Sequence, residues 1–78
     1  TLFYFSSDWC VPCQSLGPTM DKISQLIPVE KINIDYEADR THAAKVMSIP
    51  TVILAENGQE VKRFVGNRTY EQVLEFIK

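Results

Sequence analysis

The chain has 78 residues, of which 45% are hydrophobic and 23% are charged, and its formal net charge at pH 7 is −2. A chain of this length forms a single domain, 1–78, which buries only about 60% of the surface that the unfolded chain exposes. Charges of both signs are interspersed, and no apolar run approaches the roughly 18 residues of a membrane span. We therefore expect a soluble protein that binds neither nucleic acid nor membrane.

The first half of the chain has the pattern of a strand, a helix, a second strand and a short helix. Residues 2–6 form an apolar run without alternation, as in a central strand covered on both faces. Apolar residues then recur at helical spacing over 10–27, where Pro18 is expected to kink the helix. Residues 29–36 predict the second strand and 37–47 a short helix. Two strands joined by a helix lie parallel to each other.

The second half predicts a hairpin followed by a final helix. Residues 51–55 and 60–65 form two runs suited to strands, and Asn57 and Gly58 between them are the strongest short hairpin pattern. A helix is expected over 70–78, capped by the threonine that precedes it. The predicted fold class is therefore α/β, in the order β-α-β-α-β-β-α, with a four-stranded mixed sheet flanked by helices.

The two cysteines, Cys10 and Cys13, are the most informative residues. Residues three apart on a helix lie about 5 to 6 Å from each other, within the Cα separation of about 4.4 to 6.8 Å that a disulfide accepts. A cross-link across so short a loop restricts the unfolded chain very little, which favours reversible chemistry over a structural role.

A lone C-x-x-C beside a strand and a helix is typical of a redox motif and of a reducing compartment, so we expect a cytoplasmic protein. The chain starts at Thr1 without an initiator Met, and a removed leader stays an open alternative.

The position of each cysteine predicts its role. Cys10 should lie at the amino end of the first helix, where free backbone N–H groups and the helix dipole stabilise a thiolate. Cys13 should lie one turn inside the helix and be more shielded. We expect Cys10 to attack a partner disulfide and Cys13 to resolve the mixed disulfide that forms. Pro12 suits the first turn of a helix, where its missing N–H would have no partner.

Several motifs, in matching order and spacing, resemble those of the thioredoxin family. They are Phe5, Trp9-Cys10-Val11-Pro12-Cys13, Pro18, Lys31-Ile32-Asn33-Ile34-Asp35, Ile49-Pro50-Thr51, Asn57-Gly58 and Val65-Gly66. The chain resembles thioredoxins as far as its last residue, but it lacks the extra strand and helix that thioredoxins carry at the start. The resemblance implies a minimal thioredoxin fold, close in size to a glutaredoxin.

The resemblance also implies a substrate site around the cysteines. Pro50 would follow a cis peptide bond, face the cysteines and act with Cys10 and Cys13 in catalysis. An apolar substrate groove would be formed by Trp9, Val11, Pro12, Ile34, Ser48, Ile49, Thr51, Val65 and Gly66.

Three positions bear on the family pattern. Tyr4 stands where the family usually has a buried aspartate that assists proton transfer at the second cysteine, and Lys31 matches the lysine that accompanies it. Our hypothesis is a proton relay through Tyr4, Lys31 or water, with slower resolution than in full-length relatives. Because an unpaired buried ammonium is costly, Lys31 should reach solvent, Tyr4 or Asp35. Val11 replaces the glycine that is commonest between the cysteines.

By resemblance, the protein is a thiol:disulfide oxidoreductase that mainly reduces protein disulfides. It would bind no cofactor, act as a monomer and receive electrons from an NADPH-dependent flavoprotein reductase. One alternative is a glutaredoxin-like protein recharged by glutathione, although residues 66–69 lack the Gly-Gly-x-Asp typical of glutaredoxins. Another is a non-catalytic accessory or binding subunit with the same fold. Half of a zinc site is a further alternative, but closed zinc sites need four ligands and the only histidine is His42.

Overall fold

Seven elements follow one another in the predicted order, in a computed structural model that describes residues 1–78. They are β1 (Leu2–Ser6), α1 (Val11–Ile23), β2 (Val29–Asn33), α2 (Ala38–Ala43), β3 (Thr51–Glu56), β4 (Gln59–Val65) and α3 (Tyr70–Ile77). The predicted fold class is confirmed: a four-stranded mixed sheet with helices packed on it. None of the three helices combines the length and apolarity needed to cross a bilayer.

Three predicted elements end earlier than their sequence patterns indicate. Helix α1 ends at Ile23 instead of residue 27. The next residues form a turn with hydrogen bonds over three residues, such as that from the N–H of Leu26 to the carbonyl of Ile23. Strand β2 ends at Asn33, whose side-chain oxygen accepts the N–H of Asp35 at 2.9 Å and turns the chain away from the sheet. Helix α2 has six residues instead of eleven and is followed by Lys45 at a φ of 57°.

The hairpin turn and the last helix begin as predicted. Asn57 and Gly58 have φ values of 56° and 79°, and two positive values in succession match the turn type that the Asn-Gly pair favours. The hydroxyl oxygen of Thr69 accepts the N–H of Gln72 at 3.2 Å, and the Gln72 side chain accepts the N–H of Thr69 at 2.9 Å. This reciprocal capping box starts α3 where its sequence places it.

The sheet brings four chain segments to one end. Its strand order is β2-β1-β3-β4, with β1 parallel to β2 and antiparallel to β3. Ser6 is opposite Asn33, Phe5 is opposite Thr51, and Thr51 is opposite Val65. The last residues of β1, β2 and β4 therefore meet the first residue of β3. The loop that carries the cysteines starts from this end of the sheet.

The hydrophobic core is much thicker on one face of the sheet than on the other. The larger cluster packs α1 and α3 on the sheet and contains nine buried residues: Leu2, Tyr4, Leu16, Met20, Ile23, Val52, Leu54, Phe64 and Val73. The smaller cluster contains three buried residues: Phe5, Ile32 and Ile53. Methionine is an apolar residue that often fills a core, and the sequence predicts that role for both Met20 and Met47. Met20 is buried in the larger cluster, but Met47 is 95% exposed, so the prediction is wrong for Met47. It lies in the loop after the short α2, where no element covers it.

Candidate active site

The cysteine pair lies at the start of α1, directly after the turn that leaves β1. Cys10 is the N-cap residue, with φ −88° and ψ 110°, and Cys13 lies in the first turn of the helix. Their Cα atoms are 5.2 Å apart and their sulfurs form a disulfide. The separation predicted from the i, i+3 spacing is confirmed, and the structure is that of the oxidised protein.

The start of the helix directs a backbone N–H at the Cys10 sulfur. The N–H of Cys13 donates a hydrogen bond to Cys10 Sγ at 3.2 Å, so this sulfur occupies the position of an N-cap oxygen. No acidic residue lies in the first turn, and Pro12 is placed there as predicted. After reduction, the free N–H groups and the helix dipole favour the thiolate form of Cys10.

Burial does not distinguish the two cysteines in the oxidised form. Cys10 is 5% exposed and Cys13 is 4% exposed, so the greater shielding expected for Cys13 is not visible in this state. The difference between them lies in the helix position. Cys10 accepts a backbone N–H at the cap, whereas Cys13 lies one turn further along the helix.

Trp9 is an exposed rim residue, as its position beside the motif indicates. The residue is 66% exposed, and its Nε1 donates a hydrogen bond to Asp35 Oδ2 at 2.9 Å. Asn33 Nδ2 donates to Asp8 Oδ1 at 3.4 Å across the same gap. These contacts connect the turn after β2 with the turn before Cys10. The sequence pattern indicated Asp35 only as a partner for Lys31, although its position just beyond a strand parallel to β1 places it at the same end of the sheet.

The cis peptide bond implied by the family resemblance is present between Ile49 and Pro50. The Pro50 carbonyl accepts the N–H of Gly66 at 2.9 Å. The Thr51 hydroxyl donates to the Ser48 carbonyl at 2.6 Å. Both bonds attach the loop before β3 to its surroundings at the end of the sheet from which the cysteine loop starts.

A groove of about 360 Å³ runs beside this loop. Its lining contains four of the predicted groove residues together with three that the sequence analysis did not assign to it: Trp9, Ile34, Ser48 and Ile49, with Thr41, Val46 and Met47. Of the other predicted residues, Val11, Pro12 and Val65 are exposed outside this groove, and Gly66 bonds to Pro50. Thr51 is buried, and its hydroxyl bond to Ser48 supports the loop from inside.

Tyr4 contacts the backbone of the second cysteine. Its hydroxyl donates a hydrogen bond to the Cys13 carbonyl at 2.8 Å, and the side chain is buried in the larger core cluster. Burial raises the pKa of Tyr4 above 10.0, the Ser6 hydroxyl partly offsets this, and the negative charge of Asp21 raises the pKa further. The hydroxyl therefore keeps its proton at neutral pH and is no substitute for a carboxylate base.

Lys31 reaches solvent and finds its partner on α1. Its ammonium lies 2.5 Å from Asp21 Oδ1, and both side chains are mostly exposed. The expected partners Tyr4 and Asp35 are not bonded to it. Asp21 lies eight residues beyond Cys13, about 12 Å along the helix, so this ion pair lies two turns from the second cysteine.

The structure contains no group of three or more His, Cys, Asp and Glu side chains arranged to hold a metal ion. His42 is exposed on α2. The chemistry that the site can perform rests on the two sulfurs and the helix that presents them.

Comparisons with known proteins agree with this arrangement. A family model described as Thioredoxin matches residues 1–78. The thioredoxin of Chlamydia pneumoniae is 37% identical over 76 residues, which cover 94% of this chain and 74% of that protein. The mitochondrial thioredoxin of Bos taurus is 33% identical over 78 residues, which cover 95% of this chain and 47% of that protein. The chain thus spans about half the length of the bovine relative.

Two further similarities extend the comparison. A protein of Mycobacterium leprae named bifunctional thioredoxin reductase/thioredoxin is 36% identical over 66 residues, which cover 80% of this chain and 14% of that protein. Among solved structures, a mutant thioredoxin from Halobacterium salinarum matches with a TM-score of 0.92 at 31% identity. That match covers 97% of this chain and 69% of the other.

Replacing Tyr4 by phenylalanine tests the hydrogen bond to Cys13. Tyr4→Phe should lower the free energy of unfolding of the oxidised protein at pH 7 by about 1 kcal/mol, because a buried hydrogen bond is lost. The native pKa of Tyr4 is raised, so the stabilisation is present below pH 10 and disappears as the pH rises through the native pKa. Chemical denaturation at pH 7 and at about pH 11 should therefore give a smaller difference in the free energy of unfolding between wild type and variant at the higher pH.

The matched control for that experiment is Tyr36→Phe, because Tyr36 is 80% exposed. Its removal should leave stability unchanged at pH 7. If wild type and Tyr4→Phe differed in the free energy of unfolding by the same amount at both pH values, the hydrogen bond assigned to the Tyr4 hydroxyl would be contradicted.

Proposed function

The chain belongs to the thioredoxin family, and we propose that it is a thiol:disulfide oxidoreductase that reduces disulfide bonds in proteins. The observation that carries this proposal is the Cys10–Cys13 disulfide at the amino end of α1, where a backbone N–H already points at the Cys10 sulfur. A structural staple across three residues would contribute little stability. The position instead suits a sulfur that alternates between disulfide and thiolate.

The reaction proceeds by two thiol–disulfide exchanges. In the reduced protein, the Cys10 thiolate attacks one sulfur of a substrate disulfide, forms a mixed disulfide and releases the other substrate sulfur as a thiolate. The Cys13 thiolate then attacks the Cys10 sulfur, and the second substrate sulfur leaves. The substrate gains two electrons and two protons, and the Cys10–Cys13 disulfide re-forms. Helix geometry supports this order, since Cys10 has the cap position that stabilises its thiolate.

Residues around the disulfide suit varied protein substrates. Trp9 and Val11 present exposed apolar surface on either side of Cys10. We assign Pro50 to the catalytic site, and the residues of the groove beside it to substrate binding. The protein would act as a monomer in a reducing compartment, which we take to be the cytoplasm, because a dithiol that reduces substrates must itself be kept reduced.

Electrons would come from an NADPH-dependent flavoprotein reductase. The similarity to one part of the M. leprae protein, whose name joins thioredoxin reductase to thioredoxin, supports such a donor. Recharging by glutathione is the weaker alternative. The segment before α3 contains Arg68, whose guanidinium lies 4.5 Å from the centre of the Phe64 ring, and it lacks the residues with which glutaredoxins hold glutathione.

Replacing each cysteine in turn tests the proposed order of attack. Cys13→Ser should accumulate a mixed disulfide between Cys10 and a peptide disulfide substrate, since the resolving sulfur is missing. Cys10→Ser should form no adduct and should lower reduction to the uncatalysed background. Intact-mass spectrometry of both variants after mixing with the peptide measures this. The assignment would be contradicted if Cys13 formed adducts in the Cys10→Ser variant as fast as Cys10 forms them in the Cys13→Ser variant.

We also propose that water, without a protein carboxylate, takes the proton from Cys13 in the second exchange. Tyr4 is protonated at neutral pH, and Lys31 is paired with Asp21 at the surface. Tyr4→Asp would place a carboxylate beside Cys13 and should speed resolution roughly tenfold or more, since general bases contribute at least this much. Stopped-flow release of the reduced peptide across pH measures the rate, and Tyr4→Phe is the control. A rate for Tyr4→Asp that equals wild type at every pH would overturn the proposal.

Two electron donors separate the proposed activity from the glutaredoxin-like alternative. NADPH with a bacterial thioredoxin reductase should re-reduce the oxidised protein faster than glutathione with glutathione reductase. NADPH consumption in the presence of a peptide disulfide measures both rates. Recharging by glutathione alone would favour the glutaredoxin-like alternative and reject the reductase partner.

A further inference from the structure

The loop between α2 and β3 carries the most exposed large apolar side chain of the protein. Met47 is 95% exposed, ahead of Val11 and Trp9, and it lies three residues before Pro50. A side chain with so little contact in the protein contributes almost nothing to its core. Its removal should therefore cost little stability, and its role is better sought in binding.

Met47 belongs to the groove that extends to Trp9, next to the cysteine pair. Trp9, the residue directly before Cys10, lines one part of this groove, and Met47 and Ile49 line another. Ile34 lies in the same lining. Apolar side chains therefore continue from the neighbour of the attacking cysteine to the free side chain of Met47. A substrate disulfide that reaches Cys10 would place its flanking residues along this surface.

The backbone on both sides of Met47 is held in place. On the α2 side, the Arg63 guanidinium donates to the carbonyls of Ala44 at 2.8 Å and Lys45 at 3.4 Å. Glu60 fixes that guanidinium through two contacts of 2.6 Å. On the β3 side, the Ser48 carbonyl accepts the hydroxyl of Thr51. Met47 is thus a flexible side chain on a fixed support.

We propose that Met47 is a specificity-determining residue, which selects disulfide substrates with a large apolar side chain next to the attacked cysteine. This inference rests on the proposed function and names the class of substrate. A flexible thioether adapts to different apolar shapes, and covering it removes apolar surface from water on both partners. A charged flanking residue would lose hydration against the apolar side chains of the groove. Apolar substrates are therefore bound more tightly, with no change in the exchange step itself.

Three cyclic peptide disulfides test the inference; they differ only in the residue next to one cysteine, which is leucine, serine or lysine. The fully reduced protein is mixed with each peptide, and oxidation is followed by the fluorescence of Trp9, the only tryptophan. The leucine peptide should oxidise the wild type about tenfold faster at low peptide concentration, and the difference should lie in the peptide concentration that gives half the maximal rate. A small disulfide without side chains near its sulfurs serves as the reference for chemistry alone.

Three variants isolate the contribution of Met47. Met47→Ser should lower the preference for leucine to roughly twofold, with unchanged stability. Met47→Leu should keep the preference. Leu26→Ser is the matched control, because Leu26 is 60% exposed beyond the far end of α1, about 20 Å from the helix start. It should behave as wild type.

The outcomes separate this inference from the proposed function. If the wild type reduces the small disulfide but shows no preference, prefers lysine, or keeps its preference in Met47→Ser, the inference is wrong and the oxidoreductase activity stands. If the wild type reduces none of the disulfides, the proposed function fails, and the assignment of Met47 fails with it. The inference is supported if Met47→Ser loses the preference through the peptide concentration that gives half the maximal rate, while Met47→Leu and Leu26→Ser keep it.

Discussion

The position at which α1 begins is the constraint on which the active site depends. Because the helix starts directly after Cys10, the N–H of Cys13 points at the Cys10 sulfur, and the two Cα atoms lie at a separation that a disulfide accepts. This start is secured from two sides. Leu16, Met20 and Ile23 bury one face of the helix on the sheet, and the Tyr4 hydroxyl holds the Cys13 carbonyl. A shift of the helix would misplace both sulfurs together.

The sheet supplies the rest of the site by bringing distant segments to the same end. Parallel pairing of β1 with β2 places Asp35 beside the turn that carries Trp9, and the indole binds that carboxylate. Antiparallel pairing of β1 with β3 places the cis bond before Pro50 at the same end, where Gly66 binds its carbonyl. Backbone pairing and a few hydrogen bonds therefore assemble the rim, while the buried core lies elsewhere.

The two steps of the proposed disulfide exchange receive unequal support from this chain. The first step has a helix N-terminus that stabilises the Cys10 thiolate. For the second step, Tyr4 contributes a hydroxyl with a raised pKa, which anchors the backbone of Cys13 and keeps its proton. Lys31, which matches the lysine that accompanies the aspartate in the family pattern, is paired with Asp21 at the surface. Tyr4 thus forms a buried hydrogen bond at the position where the family pattern has a potential base.

Local patterns were sufficient to predict the order of the elements, the cysteine spacing, the Asn-Gly turn and the cap of α3, because each depends on residues close in sequence. The cis bond at Pro50 was also predicted, from the resemblance of a short motif. Element ends were less accurate. Strand β2 stops at Asn33 because a side chain competes for a backbone N–H, and hydrophobic periodicity does not register such a bond.

Only the tertiary structure decided which side chains meet across elements. The bond between Trp9 and Asp35 spans 26 residues, and the partner of Lys31 comes from α1, where no local pattern pointed. The exposure of Met47 could likewise not be predicted from the sequence, because an apolar residue near a short helix is expected to be buried. Met47 is exposed because α2 ends early and because no helix or strand covers the loop that follows. Residue types and spacing thus determined the chemistry, and the meeting of strand ends determined which residues surround it.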